Sequence, residues 1–214
     1  MNTFDLARIL KFLPGVIFGL TVHEFSHAWI AHRCGDTTAR DEGRITLNPL
    51  RHIDLIGFVM LLVAGFGWAR PVRFNENNLK NPHADVMKIA AAGPLSNALT
   101  AMLLSVIFVI AVKFIPLYSS HTATVIYQIV DYAISINWSL FVFNLIPLPP
   151  LDGSHLLLNQ FRRYPGIYNA LYKYGSLVLL GLVIGSMITK LDLIPIWPAI
   201  RFLAEGFLAL LGYR

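Results

Sequence analysis

Apolar stretches close to 20 residues long recur along this 214-residue chain, separated by short loops that hold most of its charge. A helix of about 20 residues rises about 30 Å, the thickness of the hydrocarbon layer of a bilayer. Only 14% of the residues are charged while 56% are hydrophobic, and the mean hydropathy is +0.60. An average soluble domain is about 25% charged, so this chain lacks the polar surface needed to dissolve. It reads as an all-α polytopic membrane protein, one membrane-embedded domain over 1–214, with a core at 14–160 and C-terminal helices at 172–214.

Four spans stand out, at about 14–33, 88–115, 123–147 and 172–189, with Pro14 suited to the first turn of the first. The segment 194–214 has two prolines and then a short amphipathic helix that either spans or lies in the interface. Basic residues orient the set, since lysine and arginine favour cytoplasmic loops. Arg33, Arg40, Arg44 and Arg51 follow the first span; Arg70, Arg73, Lys80 and Lys88 precede the second; Arg162, Arg163 and Lys173 separate the third from the fourth. Lys113 and Lys190 stand alone on the other side. The N-terminus is therefore expected outside, in a multi-pass protein of the cell membrane. The net charge of +5 is explained by these loops and by anionic lipid, without nucleic acid. A single cysteine, Cys34, excludes an internal disulfide framework.

Basic loops flank 53–69 on both sides, so this apolar segment is expected to dip into the membrane and return. Irregular backbone at that depth survives only beside protein or a water cavity. Gly65 and Gly67 in GFGWARPV suit a turn and a strand-like return. The alternative is a short helix that crosses completely.

Ionisable residues inside a span are expensive and mark function by default. The first span carries HEFSH, with His23 and His27 four residues apart on one helical face. Two imidazoles so placed can bind one zinc ion, and Glu24, turned about 100° from His23, can reach a metal-activated water as general base. The alternative is a chance pair of structural histidines. A catalytic zinc needs a third protein ligand and an open position. Asp152 in FNLIPLPPLDGSH is the candidate, after a proline-broken helix end that suits a wet cavity; the competing reading is a helix N-cap. Asp152 reaches His23 and His27 only if the first and third spans run parallel, which leaves one crossing between them. The charge bias and the metal geometry thus require the same re-entrant 53–69. Asn137-Trp138-Ser139 formally matches a glycosylation acceptor but lies inside the third span.

HEFSH, GPLSN (93–97) and NLIPLPPLDG (144–153) together resemble the site-2 proteases, intramembrane zinc metalloproteases, in a compact form without a PDZ domain. The resemblance implies one Zn2+ per chain on His23, His27 and Asp152, with Glu24 catalytic. It implies that Asn144 holds the substrate backbone or oxyanion and that Asn97 is a polar position near the site. It also implies that the element containing Gly65 and Gly67 offers an edge to an unwound substrate segment. The substrate is then a transmembrane protein cut within the bilayer, with the site toward the cytoplasm. Two rivals remain at this stage. One is a cation transporter or channel using the His/Asp cluster; the other is an inactive relative that only binds membrane helices. Oligomeric state and substrate identity are not legible.

Overall fold

The computed structural model describes residues 6–64, 67–116, 120–157, 164–189 and 191–213. Gly65 falls outside them. In chain order the helices are α1 (Leu6–Arg33), α2 (Thr38–Asp41), α3 (Leu55–Ala64), α4 (Pro82–Phe114), α5 (His121–Asn144), α6 (Asp152–Leu157), α7 (Pro165–Thr189) and α8 (Trp197–Leu210). Among them α1, α4, α5 and, over Pro165–Ser186, α7 are long and apolar enough to cross a membrane. The chain is a multi-pass membrane protein built from helices.

The four spans match the sequence reading, with shifted ends. α1 begins at Leu6, so Pro14 lies inside the helix and not in its first turn. Leu6–Leu13 is a run of helix formers that extends the helix backwards, and a membrane helix tolerates the single bond a proline removes. α4 starts on Pro82, which needs no amide partner at a helix start.

α1, α4 and α5 pack against one another and form the centre. Gly15 and Gly19 let α1 close on α5: a Cβ at Gly15 would lie 2.8 Å from the Ala133 Cα, and one at Gly19 would lie 2.9 Å from Leu140. In lipid, where no hydrophobic force separates helix from solvent, this small-xxx-small spacing brings helices together by van der Waals contact. The outer face of α4 is the reverse of a soluble helix. Leu95, Leu99, Leu103, Ile107, Ile110 and Phe114 are exposed, while Asn97 and Ser105 are fully buried.

α8 has 14 residues and rises about 21 Å, too short to span. Its Ile200, Leu203, Ala204 and Phe207 pack on the cluster formed by Phe108, Tyr127, Ile134 and Trp138 of α4 and α5. The C-terminal segment thus docks on the bundle and does not cross. α3 has ten residues, about 15 Å of helix, and its two ends are tied together. Ile53 and Ala69 form an antiparallel bridge, and the Arg70 amide donates to the His52 carbonyl at 2.8 Å. The return is possible because two glycines meet: a Cβ at Gly67 would lie 2.2 Å from the Gly57 carbonyl oxygen. The re-entrant path expected for 53–69 is the one observed, and the strand-like element amounts to a single bridge followed by extended chain.

Candidate metal centre

α1 supplies His23, Glu24 and His27, all buried in the interior of the bundle. Asp152 arrives from a distant part of the chain, after α5. After α5 ends at Asn144, the Pro-rich segment turns tightly, with the Leu148 amide on the Ile146 carbonyl and the Leu151 amide on Leu148. α6 then starts on Asp152 itself. Gly153 permits this, because a Cβ there would lie 2.4 Å from the Leu145 carbonyl oxygen and 2.5 Å from that of Ile146. The LDG sequence is therefore a carboxylate followed by the one residue small enough to rest on the helix end it has just left.

Three atoms converge. His23 Nε2 lies 3.0 Å from His27 Nε2, and Asp152 Oδ2 lies 3.1 Å from the first and 3.3 Å from the second. The opposite nitrogen of each ring decides what these atoms are. His27 Nδ1 donates to the Ile89 carbonyl at 2.7 Å, a pure acceptor. Asn97 Nδ2 donates to Gly19 O and to Asn137 Oδ1, both at 3.0 Å, so Asn97 Oδ1 must accept from His23 Nδ1, at 2.7 Å. Asn137 is oriented in turn by donating to the Ala133 carbonyl at 2.8 Å. Both rings are therefore held through Nδ1 and turn Nε2, the atom a neutral ring would offer to a metal, toward the Asp152 carboxylate.

Atoms this close are held together either by protons shared between the rings and the carboxylate or by a cation among them. The edges of a tetrahedron built on metal–ligand distances of about 2.0–2.2 Å are about 3.3–3.5 Å, and the observed triangle is only slightly tighter. His23, His27 and Asp152 are thus a group able to hold a metal ion. Gly93 keeps the space beside them clear, since a Cβ there would lie 2.4 Å from His27 Nε2 and 2.7 Å from His23 Nε2.

Glu24, the next residue of α1, makes its own contact with another segment. Its Oε2 accepts the Val72 amide at 3.0 Å, from the extended chain that follows α3. Arg44 is 3% exposed and donates to the carbonyls of Arg51 and Arg70. Burial lowers its guanidinium from the ordinary value, while the facing charge of Glu24 raises it. Burial likewise holds the His52 ring below the usual imidazole range.

Of the residues singled out in the sequence, His23, His27, Asp152 and Asn97 meet here. Asn97 is fully buried against the Nδ1 side of His23, away from the converging Nε2 atoms. Asn144 ends α5 and donates its amide to the Leu140 carbonyl one turn back, at 3.0 Å. Gly67 lies against α3. Three participants were not anticipated: Gly93, Asn137 and Arg44. A glycine in mid-helix costs about 1 kcal/mol relative to alanine, so Gly93 was itself a sign of close approach. Asn137 is a polar side chain inside a span, two turns before Asn144, a spacing that places both on one face.

The family model described as peptidase family M50 matches residues 109–184, a stretch that includes Asp152 but neither histidine. The chain is also 35% identical over 198 residues to a Bacillus subtilis (strain 168) protein named "Putative zinc metalloprotease YwhC", covering 91% of this chain and 88% of the relative. The chain belongs to peptidase family M50. Two further relatives are also named "Putative zinc metalloprotease". MJ0611 of Methanocaldococcus jannaschii is 31% identical over 72% of each chain. Rip2 of Mycobacterium tuberculosis H37Rv is 30% identical over 66% of this chain and 53% of its own length. No solved structure matches. Membership of a peptidase family on a multi-pass helical frame supports a protease and neither the transporter nor the non-catalytic reading.

Proposed function

We propose that this chain is a zinc-dependent endopeptidase that hydrolyses a peptide bond in the transmembrane segment of another membrane protein. The observation that carries this reading is the convergence of His23 Nε2, His27 Nε2 and Asp152 Oδ2 within 3.3 Å, one residue away from a buried glutamate. His23, His27 and Asp152 hold the metal. When bound, zinc supplies a Lewis acid that polarises a carbonyl and makes water nucleophilic near neutral pH. Asn97 and the Ile89 carbonyl keep both rings in the tautomer that presents Nε2.

Glu24 is the general base: it accepts the proton of the attacking water and returns a proton to the leaving amine. Asn144, at the end of the helix leading to Asp152, binds the substrate backbone or the developing oxyanion. The extended chain 69–73 is the binding edge. Its even-numbered residues turn their backbone toward the protein, with the Arg70 amide on His52 and the Val72 amide on Glu24. Backbone groups alternate along a strand, so Ala69 and Arg73 offer theirs on the opposite side to an unwound substrate segment. The basic loops place this face toward the cytoplasm, with the N-terminus outside, in the cell membrane.

The test is metal analysis with cleavage of a model single-span substrate, in the parent and in Glu24→Gln, each with and without a chelator. One zinc per chain in both proteins, and cleavage by the parent alone that the chelator abolishes, is the expected result. Cleavage that survives complete removal of metal overturns the reading.

A further inference from the structure

The neck of the α3 excursion is closed by an unusual device. α3 itself is poorly anchored by side chains: Leu55, Ile56 and Val63 are 75%, 68% and 67% exposed, as suits a helix lying in lipid. The position of the chain after α3 therefore depends on the neck. There the Arg44 guanidinium bridges the two legs, donating through Nη1 to Arg51 O before α3 and through Nη2 to Arg70 O after it. Arg44 is in turn held in place by its own loop, with its amide on the Ala39 carbonyl at 2.8 Å and its carbonyl accepting from the Thr46 amide at 3.0 Å. His52, 1% exposed, completes the neck by bonding Thr46 O through Nε2 at 2.8 Å. Two residues beyond the Arg70 carbonyl, the Val72 amide reaches Glu24. One leg thus joins the guanidinium to the glutamate, and its other side is the free edge.

We propose that Arg44 is a positioning residue for substrate: its fork fixes the register of 69–73 over Glu24 and so governs substrate binding, not the chemical step. A buried arginine is suited to this because its planar, pre-organised donors span two carbonyls at once, which a lysine ammonium cannot do. The inference rests on the reading of 69–73 as the substrate edge.

The test separates clamp from charge. In Arg44→Gln, KM for the model substrate rises about tenfold or more while kcat stays within about threefold, the pattern for loss of uniform binding, and zinc content is unchanged. Arg44→Lys keeps a positive charge opposite Glu24 but loses the fork, so it shares the KM defect. Ile53 and Ala69 face each other as a non-hydrogen-bonded antiparallel pair, a spacing a disulfide can bridge. Ile53→Cys with Ala69→Cys, in a Cys34→Ser background carrying Arg44→Gln, has a lower KM when oxidised than the same protein when reduced. Parent-like KM in Arg44→Gln or Arg44→Lys, a defect confined to kcat, or no rescue on oxidation overturns the proposal. Hydrogen exchange at the Arg70 and Val72 amides, faster in Arg44→Gln and slowed again by the disulfide, decides the clamp even if the parent cleaves nothing. That last outcome would count against the proteolytic reading alone.

Discussion

His23 and Glu24 are neighbours on one helix, yet they sit in two differently built environments. His23 looks into the bundle, where Asn97, Asn137, Gly19 and Gly93 come from three tightly packed helices and every hydrogen bond ends on a backbone carbonyl or a fixed amide. Glu24 looks toward a single extended strand of chain, held by one backbone amide and tethered through a loop arginine. The first environment suits an ion whose ligands must not move. The second suits a polymer substrate that must enter, pair and leave. On the proposed function, the contrast separates the two tasks: metal ligands on packed helices, substrate edge on the chain after the short α3 excursion.

Glu24→Gln breaks the comparison most sharply. It is nearly isosteric and leaves the converging triad untouched, so zinc content should match the parent while cleavage falls by about 10³-fold or more, near the upper range for loss of a general base. Single-turnover cleavage beside metal analysis reads both. Retained turnover would move the base elsewhere.

Gly93→Ala attacks the other environment. Its Cβ would stand 2.4 Å from His27 Nε2 and 2.6 Å from His23 Cε1, so the two rings are what must give way. The imidazoles must then turn, and zinc affinity should fall by about 100-fold, as for a disrupted supporting shell, when measured by competition with a chromogenic chelator. Asn97→Ala comes next. It removes the acceptor that keeps the proton on His23 Nδ1, and an affinity loss of about 10-fold is expected. Asn137→Leu, one bond further out, should lose less, because the Gly19 carbonyl still orients Asn97. The order Gly93, Asn97, Asn137 is the content of this prediction, and an inverted order would mean that Asn97 does not act through His23.

What was legible in the sequence follows the same division. The pairing of His23 with His27 needs only the pitch of one helix, so spacing alone revealed it. Asp152 was reachable because acids are rare in this chain and because charge bias in the loops and the need for parallel spans constrained the topology together. The return of 53–69 came from those same constraints. By contrast, Gly93 meets histidines 66 and 70 residues away, Asn137 meets Asn97 40 residues away, and Arg44 joins carbonyls 7 and 26 residues away, and no local pattern carries such information. Arg44 was counted only as one cytoplasmic positive charge, although it is among the most deeply buried side chains in its loop. Helix ends were misplaced where an element runs on past its apolar stretch, as α1 does before Pro14 and α4 does before Lys88.

A separate expected effect, on stability and not on the metal, concerns the base of the α3 excursion, where a second buried charge anchors the chain beyond Arg73. Asp36 follows α1 and is fully buried. It accepts from the Asn75 amide at 2.9 Å, from Asn78 Nδ2 at 2.9 Å and from Thr38 Oγ1 at 2.7 Å, joining the end of α1 to the segment after Arg73. Burial pushes its carboxyl up, but the hydrogen bonds from Asn78, Thr38 and Asn75 outweigh that and hold it below the ordinary value. A folded-state value below the unfolded one of about 3.9 means the stabilisation is fully present above that pH and fades as pH falls through the folded value. Asp36→Asn should therefore lose about 2 kcal/mol near neutral pH, the scale of hydrogen bonds to a charged group. The gap between parent and variant should narrow as pH drops below about 4. Thermal unfolding in detergent across that range reads it. A gap independent of pH would mean that Asp36 acts by shape and not by charge. Zinc affinity should be unaffected in either case, because the partners of Asp36 are Thr38, Asn75 and Asn78 and none of the converging side chains.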